Sequence, residues 1–147
     1  MNLLQKKNYK PFQVFWFGAI SILAPSLLVG KDSVIDIQLH DTYLVLDFQI
    51  IGVLASIILA IFGFAYYLLR NTSLTSWMSY THAWLSYICI GLILFCSLIQ
   101  TLPDVVDKST NRIINITMVI LFFLFLGAQL LFLVNLIRST VRAGLKS

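Results

Sequence analysis

Charge is scarce in this chain of 147 residues: only 11% are Asp, Glu, Lys or Arg, against about 25% in a typical soluble domain. Apolar residues take that place, at 59%, and the mean hydropathy is +0.91. A water-soluble globule is excluded, and an integral membrane protein is the class that remains. At about 20 residues per lipid span, the length leaves room for four or five helices and little else. Cysteine is nearly absent as well. Cys89 and Cys96 stand seven apart inside one apolar segment, with no CxxC and no histidine at ligand spacing, so they read as packing residues. No nucleophile–base pair, phosphate loop or complete redox motif occurs, and no enzyme activity is expected. The formal charge of +4 does not imply nucleic acid, because the basic residues sit at the ends of apolar runs, where membrane topology accounts for them.

Four apolar runs predict an all-α, four-helix transmembrane bundle in a single membrane domain, 1–147, with spans at about 12–29, 43–69, 83–102 and 113–137. The first follows Lys6, Lys7, Lys10 and Pro11 and contains Pro25 near its far end. Its aromatic core of Phe12, Phe15, Trp16 and Phe17, with no A-x-A site after it, marks a retained helix and not a cleaved signal. The second ends at an interfacial belt of Tyr66, Tyr67 and Arg70, the third is stopped by Pro103, and the fourth stops at Arg138.

An even number of spans places both termini on one side. Lys6, Lys7, Lys10, Arg70, Arg138, Arg142 and Lys146 then share a face, against Lys31, Lys108 and Arg112 on the other; seven against three predicts cytoplasmic termini. All six acids (Asp32, Asp36, Asp41, Asp47, Asp104 and Asp107) fall on the opposite face, which is where cation or proton chemistry would have to lie.

Within the second run Gly52, Ser56 and Ala60 recur every four residues, with Gly63 close to the same stripe, a seam of small residues against which another helix can dock. Gln129 and Asn135 are polar groups inside the fourth run, placed to hydrogen-bond across helices for about 1 kcal/mol each. His82, beside Trp77 and Trp84, reads as a polar anchor at the end of the third span. Asp47 lies either one turn inside the membrane, or at interfacial depth as an N-terminal turn acid if the helix begins at Phe48.

The stretch IDIQLHDTYLVLDFQ, Ile35 to Gln49, resembles the heme-copper oxidase subunit I family, which carries HDTYYVVAHFH there. The likeness continues through AIFGFAYY (Ala60 to Tyr67) and WMSYTHAWLSYICIGLILF (Trp77 to Phe95), similar to the family's W-x-K-I-H-F-W-L-M-F-I-G-V-N-L-x-F, with spacing and helix count matching the last four helices of that subunit. The resemblance covers nearly the whole chain and implies a multi-pass protein of a bacterial cytoplasmic membrane.

The departures bear on function. The two histidines of AHFH bind the family's heme irons, and here those positions fall at Asp47 and Gln49, or at Phe48 and Ile50 if no gap is allowed. Neither pair is an axial ligand set for such hemes. The family's copper ligands lie on earlier helices that this sequence does not contain. Retained are His40 and Asp41, which in the family help ligate a non-redox Mg²⁺ or similar divalent cation; a hard cation needs about six oxygen-type ligands, so others would have to come from water or a partner. The competing reading has Asp41 and Thr42 capping the second span. The expectation is a non-catalytic accessory or structural subunit with no heme cofactor, embedded in the lipid bilayer and assembling with itself or with other membrane subunits. The alternatives are an extracytoplasmic cation- or proton-binding protein, or a heme-binding respiratory subunit completed by another chain.

Overall fold

A computed structural model of the chain describes residues 10–29, 34–39, 42–100 and 107–144. Four helices in it are long and apolar enough to cross a membrane. They are α1 (Pro11–Leu28), α2 (Phe48–Leu68), α3 (Ser76–Gln100) and α4 (Lys108–Gly144), with a short 3₁₀ turn at Leu69–Asn71 after α2. Each start has a local cause. Lys10 is extended and Pro11 follows it at the first helical position, where a missing N–H costs nothing. Asp47 caps α2, its Oδ1 accepting from Gln49 N–H at 2.7 Å. Asp107 caps α4, accepting from Thr110 N–H and from the Ser109 hydroxyl, each at 2.8 Å.

The all-α expectation holds for the spans and fails between α1 and α2. Strands β1 (Val34–Leu39) and β2 (Thr42–Asp47) pair antiparallel there, with Val34 opposite Asp47 and Leu39 opposite Thr42. The second span therefore begins at Phe48 and not at Tyr43, and Asp47 is its N-terminal cap. Thr42 opens β2, five residues before that cap, so it does not cap the second span; Asp41 lies outside the described residues. In the sequence, Ile35, Ile37 and Leu39 alternate with Asp36 and Gln38, the period of a strand, and the β-branched and aromatic run after Thr42 suits a strand equally well.

The start of α3 and both ends of α4 lie outward of the apolar runs. α3 starts at Ser76, well before 83, because the polar residues between, Ser79 and His82 among them, are buried against neighbouring helices and not left at an interface. α4 runs for 37 residues, about 55 Å, well beyond a hydrocarbon thickness of about 30 Å.

Helix pairing is uneven. α1 packs chiefly on α2 and α3 chiefly on α4, while α1 and α3 join the two pairs. The small-residue seam of α2 meets α1. A Cβ on Gly52 would land on the Ser26 side chain, and one on Gly63 would press on Phe15 and Trp16 at 3.2–3.3 Å. Ser56, buried on the same stripe, bonds the Gly52 carbonyl at 2.8 Å, and Ala60 packs beside the core. One end of the bundle carries Lys10, Arg70, Thr72 and Ser76, which share a pocket; Asn135 and Ser139 of α4 reach the same level by bonding Thr75 and Ser73. Asp47 and Asp107 cap helices at the other end.

Two outcomes follow from this packing. Gly52→Ala is expected to lower the unfolding free energy in detergent by about 1–3 kcal/mol, since Ser26 must shift. Gly91→Ala, where an added Cβ meets nothing within 4 Å, is expected to be neutral or to stabilise by up to about 1 kcal/mol. Thermal melts of the purified variants, followed by circular dichroism, separate the two. The second outcome concerns Asp107. Hydrogen bonds from the Thr110 side chain and backbone, and then from the Ser109 hydroxyl, hold its carboxyl at about 2, below the ordinary 3.8. Because the folded value is the lower one, the cap's contribution is present above 3.8 and fades as pH falls toward 2. Wild type should melt above Asp107→Asn at pH 6, with the gap closing over that window; a constant gap down to about pH 2 would contradict the assignment.

Candidate functional site

Four rings close around one imidazole where all four helices meet. His82 of α3 is fully buried, its ring centroid 5.2 Å from that of Phe15 on α1, 5.1 and 5.7 Å from Phe62 and Tyr66 on α2, and 5.4 Å from Phe132 on α4. Phe132 lies nearly parallel to the imidazole, at 27°, and Phe62 stands edge-on at 80°. Phe15, Tyr66 and Phe132 also touch one another or Phe62 directly, so the rings form one continuous layer. Such offset and edge contacts each add about 0.5–1.5 kcal/mol beyond burial.

The ring nitrogens are both engaged, and the bonding fixes their protons. Nδ1 lies 3.1 Å from the Tyr66 hydroxyl and Nε2 lies 3.0 Å from Gln129 Oε1. Gln129 Nε2 donates to the Phe125 carbonyl at 3.0 Å and to the Ser86 hydroxyl at 3.2 Å. A carbonyl can only accept, so the Gln129 amide nitrogen must face Phe125 and its oxygen must face His82. Nε2 therefore carries the proton in the neutral imidazole, and the Tyr66 O–H donates to the bare Nδ1. Every polar atom of the group has a partner, as a water-free environment requires.

A second polar clasp sits one turn nearer the helix end. Asn135 of α4, 1% exposed, accepts from Thr75 N–H at 2.8 Å and donates to the Thr75 carbonyl at 3.2 Å and to Ser79 Oγ at 3.0 Å. Its amide thus pairs with the backbone at the start of α3 as a neighbouring peptide would. At the far end of the same helix pair Gln100 Nε2 donates to Asn111 Oδ1 and Asn115 Oδ1, at 2.6 and 2.8 Å. α3 and α4 are tied by amides along their whole length.

The residues singled out in the sequence divide clearly. Asp47 and Gln49, where the family resemblance puts heme ligands, are occupied in the fold: Asp47 caps α2, and Gln49 Nε2 bonds the Val29 carbonyl at 2.8 Å, joining the start of α2 to the end of α1. His40 and Asp41 lie outside the described residues. Among the described residues no group of three or more His, Cys, Asp or Glu side chains comes together. Gln129 and Asn135 do bond across helices. His82 is corrected: it is the buried junction of the bundle and not an anchor at a helix end, because Gln129 and Tyr66 reach it from two other helices. A signal for this existed. Thr75, Ser79, His82 and Ser86 follow the three–four spacing that a helix gathers into one stripe, as do Gln129, Phe132, Asn135 and Ser139.

Comparison with protein-family models, curated sequences and solved structures finds no match to this chain.

Tyr66→Phe, which removes one buried bond, is expected to cost about 1 kcal/mol. His82→Ala, which opens a cavity and strands both Tyr66 and Gln129, should cost about 2–4 kcal/mol. Unfolding in mixed micelles measures both. In a ¹⁵N spectrum of histidine-labelled protein at pH 7, His82 should show a protonated Nε2 and an unprotonated Nδ1; the opposite tautomer would refute the orientation assigned to Gln129.

Proposed function

We propose that this chain is a non-catalytic membrane subunit, patterned on the C-terminal helices of a heme-copper oxidase subunit I, that works by packing against copies of itself or other membrane proteins. The observation that carries the reading is the enclosure of His82. An axial ligand must offer an unprotonated ring nitrogen to open space, yet Nδ1 accepts a hydrogen bond from the Tyr66 O–H, Nε2 faces Gln129, and rings cover the remaining sides. Asp47 and Gln49 support it in the same sense, since both are committed to the junction of α1 with α2. The assembly half rests on the resemblance to four helices of a larger subunit, and the outward side of α4 is open to lipid or to a partner alike. Almost none of its apolar window is buried within the chain, and Ile116, Phe123, Leu130 and Ile137 along it are all more than half exposed.

Purification in mild detergent from the native membrane tests both halves. The expected result is a particle containing more than one polypeptide and a visible spectrum without a Soret band. A stoichiometric Soret band that disappears in His82→Ala would overturn the non-catalytic reading, and a particle holding one copy of this chain and nothing else would overturn the assembly.

A further inference from the structure

One pocket of this protein is built unlike the rest of its surface. It lies at the end of the bundle where α1 and α3 begin and α2 ends, has a volume of about 240 Å³, and is lined by Lys10, Arg70, Thr72, Ser76 and Tyr80, with Tyr66 and Ser79 among its other walls. The other described residues that line it are apolar, and no carboxylate among the described residues contributes to it. The two other clefts of similar size, between α1 and α3 and among α2, α3 and α4, contain no charged residue.

Three features make this pocket attractive to an anion. First, both its cations lack a counter-charge: the Arg70 guanidinium stacks on the Tyr67 ring at 4.5 Å and the Lys10 ammonium on the Phe12 ring at 5.8 Å, and neither has a carboxylate partner among the described residues. Ring contact orients a guanidinium and leaves its in-plane N–H donors open, the geometry that pairs with phosphate. Secondly, α3 starts here, with Ser76 in the wall, and the start of a 25-residue helix carries the positive end of its dipole. Thirdly, the depth is right for a headgroup. Trp77, 68% exposed, and Tyr67, also exposed, stand beside the pocket, and such rings settle at the membrane–water interface.

We propose that this pocket binds a phosphate group of net negative charge, with Arg70 and Lys10 flanking the phosphate oxygens and the hydroxyls of Tyr80 and Ser76 donating to it. Two unpaired cations and no acid disfavour a zwitterionic headgroup, whose ammonium would find no partner there. Phosphate of this kind has two sources at a membrane surface, an anionic phospholipid or a soluble phosphate, and one experiment with two arms tells them apart. The inference goes beyond the subunit reading and does not depend on it.

The full chain, purified in detergent and stripped of lipid, is mixed with phosphatidylglycerol or phosphatidylcholine of the same acyl chains, and retained adducts are counted by native mass spectrometry. A parallel arm measures thermal stabilisation by inorganic phosphate. Wild type is expected to retain one phosphatidylglycerol about tenfold better than phosphatidylcholine. Lys10→Gln with Arg70→Gln should abolish that preference, while Arg112→Gln with Arg138→Gln, the same change in charge elsewhere, should keep it; matching circular dichroism spectra establish that all are folded. Stabilisation by inorganic phosphate that is lost in the first pair, without a lipid preference, would assign the site to a soluble phosphate. Equal retention of both lipids with no response to phosphate, or a preference that survives Lys10→Gln with Arg70→Gln, would overturn the proposal.

Discussion

In a hydrocarbon environment helices gain nothing by hiding apolar surface from one another, so what fixes their arrangement is close contact and the few polar groups that must find partners. Here the decisive group is the imidazole of His82. It takes a bond from α2 and gives one to α4, and its faces lie against rings from α1, α2 and α4. Slide α2, α3 or α4 by a turn and at least one nitrogen is left unpaired in a place that water does not reach. Such a junction specifies register more than it adds stability, because the unfolded chain in lipid also finds partners for its polar groups.

The two halves of the bundle are held by different means. α1 and α2 meet through small residues, with Gly52 and Gly63 admitting Ser26, Phe15 and Trp16 into close contact. α3 and α4 meet through amides, at Asn135, Gln129 and Gln100. The first kind of interface is intolerant of added volume; the second punishes the loss of a single donor. His82 is where the two kinds join. This accounts for the thin direct contact between α2 and α4, which depends on the rings of Phe62, Tyr66 and Phe132.

What could be read from the sequence alone follows from this physics. Four spans were legible because each apolar run is long enough to leave no other structure in lipid. The seam of Gly52, Ser56, Ala60 and Gly63 was legible because only small residues recur there. The hairpin was not, because an apolar run through Tyr43, Leu44, Val45 and Leu46 satisfies a helix as readily as a strand, and pairing with β1 decided between them. His82 was misplaced for a related reason. Hydropathy assigns a polar residue near the end of an apolar run to the interface, and only its partners on α2 and α4, 16 and 47 residues away in sequence, bring it inside.

The same contrast bears on the proposed likeness to oxidase subunit I. A metal-ligand histidine and a structural histidine can occupy equally buried, equally aromatic surroundings; what distinguishes them is whether a nitrogen lone pair is left over. In this chain the Phe125 carbonyl turns the Gln129 amide, the amide turns the imidazole, and the imidazole Nδ1 accepts a hydrogen bond from the Tyr66 O–H. The lone pair that iron would need is thereby consumed by a chain of constraints that starts at a backbone carbonyl one helical turn away. A ligand could reclaim it at Nδ1 only by displacing the Tyr66 hydroxyl, and could free Nε2 only by rotating Gln129 against Phe125, which would set two carbonyl oxygens face to face with no water to separate them. The polar residues at this junction therefore act as one unit, and a change that freed His82 for new chemistry would have to alter Tyr66 or Gln129 as well.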